Sequence, residues 1–132
     1  MNYSETLIDH FRNPRNAGMM RDPDGVGEDT FDGCGDLARF YLRVVDDRVG
    51  DVRFQTYGCG PTIAASSAGS ELAAGRAVSD LLSLSEQDVI AAVDGLPDER
   101  LHAAQVVAGA IRAAARDFLS RRSAPSGMKQ HV

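Results

Sequence analysis

Apolar residues fall at helical spacing at the start of the chain. Residues 4–12 predict a short helix, because Ser4 is a typical helix-capping residue and the apolar positions behind it share one face. Those positions are Leu7, Ile8 and Phe11. Residues 18–36 lack such a period and are rich in Gly and Asp, so we predict one long loop there.

The next segment changes to the two-residue period of β-strands. Residues 37–45 and 49–57 each place apolar side chains on one face, and Asp46-Asp47-Arg48 between them predicts a turn. A lone hairpin is only marginally stable, so these strands must pack against helices or a further strand.

Helical patterns fill the second half of the chain. Residues 61–74 are small and apolar, and Pro61 suits the first turn of a helix. Another helix is predicted to follow Ser85, since Ser85 and Asp88 have the spacing of a capping arrangement. The last helix is predicted over residues 99–121 from an apolar stripe. The stripe consists of Leu101, Ala104, Ala108, Ile111, Ala115 and Phe118.

Strands followed by helices predict an α+β fold, in which helices cover one face of a small antiparallel sheet. The 132 residues suffice for one domain with its own core. We assign this domain to residues 1–122. We expect residues 123–132, which are polar and contain Pro and Gly, to form a flexible tail.

Net charge and the distribution of apolar residues argue against two classes of function, nucleic-acid binding and membrane spanning. A formal net charge of -5 disfavours nucleic-acid binding. No apolar run is long enough to cross a membrane, and the first residues lack the pattern of a signal peptide. We therefore expect a cytoplasmic protein, in which Cys34 and Cys59 are thiols rather than a disulfide.

These two cysteines are the strongest indication of chemistry. Both Cys34 and Cys59 stand between glycines, which allow the backbone to approach a bound centre closely. Cys59 also precedes a predicted helix, whose positive end favours the thiolate that acts as nucleophile or metal ligand. One free cysteine is often just a small buried apolar residue, but two in the same setting favour a functional site.

Two more residues are candidates for metal ligation. Asp36 lies two residues after Cys34, so in an extended segment both side chains point the same way, although spacing alone favours a solvated turn aspartate. His102 lies near the start of the last predicted helix. Imidazole often binds zinc and iron, yet a lone histidine there is more often a surface residue. We assign His10 to the polar face of the first helix.

Several segments match one family in order and spacing. Cys34-Gly35-Asp36 matches a first ligand motif, residues 53–60 and 63–67 match a second, and Leu96-Pro97 with Leu101-His102 stands at the place of a third. The opening matches too, through Tyr3-Ser4-Glu5, Ile8-Asp9-His10-Phe11 and Asn13-Pro14-Arg15-Asn16. The chain thus resembles the IscU/NifU-type iron–sulfur cluster assembly scaffolds.

This resemblance implies a compact α+β domain with four ligands at one end. They are Cys34, Asp36, Cys59 and His102. It further implies a scaffold rather than an enzyme. In this family a transient [2Fe–2S] cluster is assembled from iron and from sulfur supplied by a cysteine desulfurase, and is then passed to apo iron–sulfur acceptor proteins. Members also hold Zn²⁺ at the same place.

Two positions depart from the family pattern. The family's third motif has a cysteine after the histidine, which is both a ligand and a sulfur acceptor, whereas this chain has Ala103. Leu96-Pro97-Asp98-Glu99-Arg100 replaces the Leu-Pro-Pro-Val-Lys segment that dedicated DnaK-type chaperones recognise in some members. The resemblance therefore does not extend to chaperone-driven transfer.

The remaining ligands leave alternatives open. Two thiolates, an imidazole and a carboxylate suit zinc, and a [2Fe–2S] cluster on them is expected to be weaker and more oxygen-sensitive than the family norm. The chain is then a scaffold for a labile cluster. Alternatively, it is a zinc-bound relative that modulates a cysteine desulfurase, or accepts sulfur from it, without building clusters. A diverged module without metal is the third hypothesis, and whether a homo-oligomer supplies a missing ligand stays open.

Overall fold

A three-stranded antiparallel sheet lies at the centre of the protein, and helices pack on it. The computed structural model describes residues 3–31 and 35–123. The strands are β1 (Gly25–Phe31), β2 (Asp36–Val45) and β3 (Arg48–Tyr57), in the order β1-β2-β3. The helices are α1 (Glu5–Arg12), α2 (Gly60–Ala73), α3 (Val78–Leu81), α4 (Glu86–Ala92) and α5 (His102–Ser123), and a 3-10 helix spans Asp98–Arg100. The predicted α+β fold class is confirmed.

The predicted hairpin is formed by β2 and β3. Val45 pairs with Arg48, and the two residues between them, Asp46 and Asp47, have φ of 52° and 63°. Positive φ at both central positions gives a two-residue turn whose twist matches that of the strands, and aspartate tolerates it better than most residues do. The chemistry of this turn therefore helps to set the register of the hairpin.

The prediction of one loop over residues 18–36 is wrong, because β1 lies within it. β1 runs antiparallel to β2, from Gly25 opposite Leu42 to Phe31 opposite Asp36. Asp36 is thus the first residue of β2 rather than part of a loop.

Glycine explains why β1 lacks the apolar pattern of a strand. A Cβ on Gly25 would lie 2.5 Å from the carbonyl oxygen of Ala114, and one on Gly27 would lie 2.1 Å from the amide nitrogen of Ala114. The backbones of β1 and α5 therefore touch at positions where an apolar side chain would not fit. The strand is buried against the helix without the side chains that usually signal burial.

The core lies between the sheet and the two long helices α2 and α5. Phe40 and Phe54 are almost fully buried there, with ring centroids 5.8 Å apart. Most of the predicted stripe of α5 enters this core, and Ala108 and Ile111 are 0% exposed. Leu101 is the exception at 40% exposure, because it precedes α5 and does not share the helical face.

α1 packs on α2 through an apolar cluster that includes Leu7, Ala64 and Ala68, and through one buried polar contact. Ser4 caps α1 as predicted, and its hydroxyl accepts the amide of Leu7 at 2.9 Å. His10, however, is only 6% exposed, and its Nδ1 lies 2.7 Å from Ser67 Oγ. The assignment of His10 to a polar surface is therefore wrong. Burial lowers the pKa of His10, and the nearby charge of Arg15 lowers it further.

Element ends follow the local signals closely. Ser85 and Asp88 form the reciprocal capping box that their spacing predicted. α5 begins at His102 and not at residue 99, since a 3-10 turn precedes it.

Residues 124–132 lie outside the described ranges, so the tail and the domain boundary stay predictions. No helix in the described part of the chain combines the length and the apolar character that crossing a membrane requires.

Candidate metal centre

Three predicted ligands meet where the start of β2, the start of α2 and the start of α5 come together. They are Asp36, Cys59 and His102, and one ligand atom from each lies within 4.8 Å of the others. We call them the Asp-Cys-His cluster. The residues are far apart in sequence, so the fold brings them together. The fourth predicted ligand, Cys34, falls outside the described residues, and its role stays a prediction.

Asp36 is a buried carboxylate, and the interpretation as a solvated turn residue is wrong. Its side chain is 2% exposed. Its Oδ2 accepts a hydrogen bond from Thr62 Oγ1 at 2.9 Å and lies 2.7 Å from His102 Nε2. A buried carboxylate without partners is strongly destabilising, so these two contacts make its burial tolerable.

Gly58 makes room for this carboxylate. A Cβ on Gly58 would lie 2.3 Å from Asp36 Oδ1, and its φ of +150° favours glycine. Glycine at this position therefore leaves the space that the Asp36 side chain occupies.

The His102 ring is held from two sides. It stacks on Phe31 with centroids 4.8 Å apart and an interplanar angle of 23°. Its Nε2 faces Asp36, and its side chain is 9% exposed, so the expectation of a surface histidine is wrong. A ring fixed in this way presents one defined nitrogen to the cluster.

Cys59 occupies the N-cap position of α2, as the sequence predicted. Its carbonyl oxygen accepts the amide of Thr62 at 3.0 Å, while its side chain makes no capping hydrogen bond. Its Sγ is therefore directed to the cluster, 3.3 Å from Thr62 Oγ1 and 3.8 Å from Asp36 Oδ2. The positive end of α2 favours a thiolate there.

The donor set of the cluster fits a metal ion. Sulfur, nitrogen and oxygen ligands at ordinary zinc bond lengths and tetrahedral angles lie about 3.3–3.6 Å from one another. The 3.8 Å between Cys59 Sγ and Asp36 Oδ2 is close to that range. The 2.7 Å between Asp36 Oδ2 and His102 Nε2 is a hydrogen-bond length and has to open by about 0.6 Å to admit a metal.

Ala103 leaves no thiol at the position of the family's third cysteine. It is 0% exposed and belongs to the main apolar core. Cys59 is the one free cysteine among the described residues. The described part of the site thus contributes one sulfur.

Two residues at the site were missed by the sequence reasoning. Thr62 touches both Asp36 and Cys59, and its only signal is its place at the third residue of a helix capped by Cys59. Arg100 lines the same pocket. Its Nη1 donates to the carbonyl of Glu99 at 3.3 Å, and its Nε is buried without a hydrogen-bond partner in the described structure. Arg100 brings positive charge beside anionic ligands.

Comparison with known proteins shows the family of the chain. The model of the NifU-like N terminal domain matches residues 2–125. The chain is 38% identical to the iron-sulfur cluster assembly scaffold protein IscU 1 of Archaeoglobus fulgidus, over 97% of this chain and 84% of that protein. It is 36% identical to the iron-sulfur cluster assembly scaffold protein IscU of Escherichia coli, over 94% of this chain and 99% of that protein.

Solved structures share the fold. The N-terminal NifU-like protein of Brucella abortus aligns with a TM-score of 0.75 at 17% identity, covering 89% of this chain and 94% of that one. The SUF-system scaffold protein of Fervidobacterium islandicum aligns with a TM-score of 0.72 at 19% identity, covering 86% and 96%. On the family match and the identity to these relatives, the chain belongs to the NifU-like N terminal domain family.

Proposed function

We propose that this protein is an assembly scaffold that holds a labile iron–sulfur cluster and passes it to acceptor proteins. The observation that carries the proposal is the convergence of Asp36, Cys59 and His102 in a member of a family whose relatives are named as such scaffolds. The cluster is cargo here. Its ligands are these three residues together with Cys34.

The ligand chemistry supports a loosely held cargo. Iron in a [2Fe–2S] cluster is usually held by four thiolates, although histidine can replace cysteine. Carboxylate is a harder and poorer partner for sulfide-bridged iron. With alanine at position 103, the set has two sulfurs at most. A cluster on it should be released more readily than one on four thiolates.

The described residues of the site supply candidate ligands and a pocket but no group that would release sulfur from a substrate. We therefore assign the carbon–sulfur chemistry to a partner cysteine desulfurase, and the protein itself is not an enzyme. Apo iron–sulfur proteins are the acceptors. We place this work in the cytoplasm, whose reducing conditions keep Cys34 and Cys59 as thiols.

The test is metal and sulfide content. Protein is incubated without oxygen with iron, cysteine and a desulfurase, and iron, zinc and acid-labile sulfide per chain are compared with the purified sample. Equal iron and sulfide with a visible chromophore support the scaffold. Zinc alone, unchanged by the incubation, contradicts it and favours a zinc-bound partner of the desulfurase.

Two controls make the result specific. Omission of the desulfurase should abolish the sulfide, because the chain has no sulfur source of its own. Ser66→Ala is a matched control variant on α2, since the Ser66 hydroxyl is buried without a hydrogen-bond partner among the described residues and lies outside the Asp-Cys-His cluster. It should assemble the same amount of cluster as the wild type.

A further inference from the structure

Thr62 lies buried between two of the proposed ligands. Thr62 is a residue of α2 and is 0% exposed. Its Oγ1 donates to Asp36 Oδ2 at 2.9 Å and is 3.3 Å from Cys59 Sγ. One hydroxyl thus contacts a carboxylate from β2 and a thiol at the start of α2.

The Thr62 hydroxyl has a single proton, so it can donate only one hydrogen bond. Because Thr62 donates it to Asp36, only oxygen lone pairs remain for Cys59. The thiol of Cys59 can therefore donate to Thr62 but cannot accept from it in this arrangement. Asp36 and Cys59 are held at a defined separation through the threonine.

Metal binding would leave Asp36 more dependent on its hydrogen bond from Thr62. In the described structure Asp36 Oδ2 has two polar partners of normal hydrogen-bond length, Thr62 and His102. If His102 were to hold a metal through Nε2, this nitrogen could no longer contact Asp36. Thr62 is then the side chain that still orients the carboxylate.

We propose that Thr62 is a positioning residue, which keeps Asp36 directed at the metal when His102 is engaged. This inference rests on the proposed function, because it requires the Asp-Cys-His cluster to bind metal. Groups that hydrogen-bond to metal ligands commonly change metal affinity by about 10–100-fold when they are removed. Thr62 itself does not need to touch the metal.

The experiment measures zinc affinity by competition with a chelator for four proteins. They are the wild type, Thr62→Val, Thr62→Ser and Ser66→Ala. Thr62→Val keeps the shape and removes the hydroxyl, and we expect an affinity loss of about 10–100-fold. Thr62→Ser keeps the hydroxyl and should stay near the wild type. Ser66→Ala removes a buried hydroxyl of the same helix that has no hydrogen-bond partner in the described part of the chain, and this variant should bind zinc as the wild type does.

A double-mutant cycle separates positioning from a structural effect. If Thr62 acts through the carboxylate, Thr62→Val should cause little further loss in an Asp36→Ala background. An equal loss in both backgrounds overturns the positioning role, since the valine is then damaging the site in some other way. Failure of Thr62→Ser to retain affinity overturns it too.

Different results would contradict the role of Thr62 and the proposed metal site. A wild-type chain that binds zinc, together with a Thr62→Val variant that binds it equally well, overturns the role of Thr62 and leaves the metal site intact. A wild-type chain that binds no zinc and assembles no cluster overturns the metal site, and the role of Thr62 with it.

Discussion

Gly58→Ala is the sharpest test of how the site is built. The new Cβ would lie 2.3 Å from Asp36 Oδ1, while real Cβ contacts are essentially never shorter than 3.0 Å. The carboxylate must therefore move by about 0.7 Å, the difference between those two distances. A shift of that size can lengthen the 2.9 Å hydrogen bond from Thr62 beyond the normal range.

The expected loss of stability has two parts. Alanine at a φ of +150° costs about 1–3 kcal/mol in backbone strain. A disturbed hydrogen bond of the buried Asp36 costs about 1–3 kcal/mol more. Together they amount to about 2–6 kcal/mol, a large part of the roughly 5–15 kcal/mol that stabilises a typical domain.

Gly75→Ala is the matched control. Gly75 also has a positive φ, +82°, but a Cβ there would meet nothing within 4 Å. It should lose only the strain energy, about 1–3 kcal/mol, and bind zinc as the wild type does. Gly58→Ala should in addition lose about 10–100-fold in zinc affinity, because it displaces Asp36, one of the proposed ligands.

Urea unfolding and chelator competition measure the two effects separately. A Gly58→Ala variant that is as stable as Gly75→Ala and binds zinc with wild-type affinity would contradict this prediction. That result would mean that Asp36 has room to move and that its position is unimportant for the metal.

Four further predictions concern other parts of the molecule. Cys59→Ser should reduce bound zinc and iron more than Asp36→Ala does, measured as metal per chain, since it removes one of two sulfurs; equal retention refutes this. Ala103→Cys should raise the iron and sulfide retained after anaerobic assembly, while unfolding in urea should show a cost of about 1–3 kcal/mol from overpacking a buried site. Gly27→Ala should unfold at distinctly lower urea, because its Cβ would lie 2.1 Å from an α5 amide nitrogen; an unchanged midpoint contradicts the close packing. The pKa of His10 is lowered in the folded state, so the folded chain binds fewer protons and should lose stability as pH falls below about 6.5; a His10→Gln variant should lack this contribution to the slope.

Local signals were sufficient wherever neighbouring residues determine the structure. The turn at Asp46 and Asp47 and the capping box of Ser85 and Asp88 are formed within four consecutive residues. Each could be predicted because the interacting groups are adjacent in the sequence. The same holds for Cys59, whose place before α2 follows from the proline two residues later.

β1 could not be predicted because its buried positions facing α5 are glycines and not apolar residues. Methods based on hydrophobic alternation need side chains on the buried face, and Gly25 and Gly27 have none. The reason for the glycines lies in α5, about ninety residues further along the chain, because the backbone of α5 occupies the space that side chains on β1 would need. Only the folded arrangement shows that these glycines replace apolar residues.

The environment of the ligands was likewise beyond local reasoning. Spacing alone favours a solvated position for Asp36, since nothing near it in sequence indicates the partners that permit its burial. Thr62 and His102 come from other elements, 26 and 66 residues away. The resemblance to the family indicated the candidate ligands, but it gave no information on which side chains hold them in place.

The hydrogen bonds inside the site explain why it suits a scaffold better than a permanent metal site. Permanent structural zinc sites contribute folding energy directly, and their proteins often unfold without the metal. Here the buried carboxylate of Asp36 is already satisfied by Thr62 and His102. An incoming metal would have to replace the contact between His102 and Asp36. This competing contact weakens binding, and Ala103 weakens it further by withholding a thiolate. Both features lower the barrier to giving up a cluster, which is what transfer to an acceptor requires.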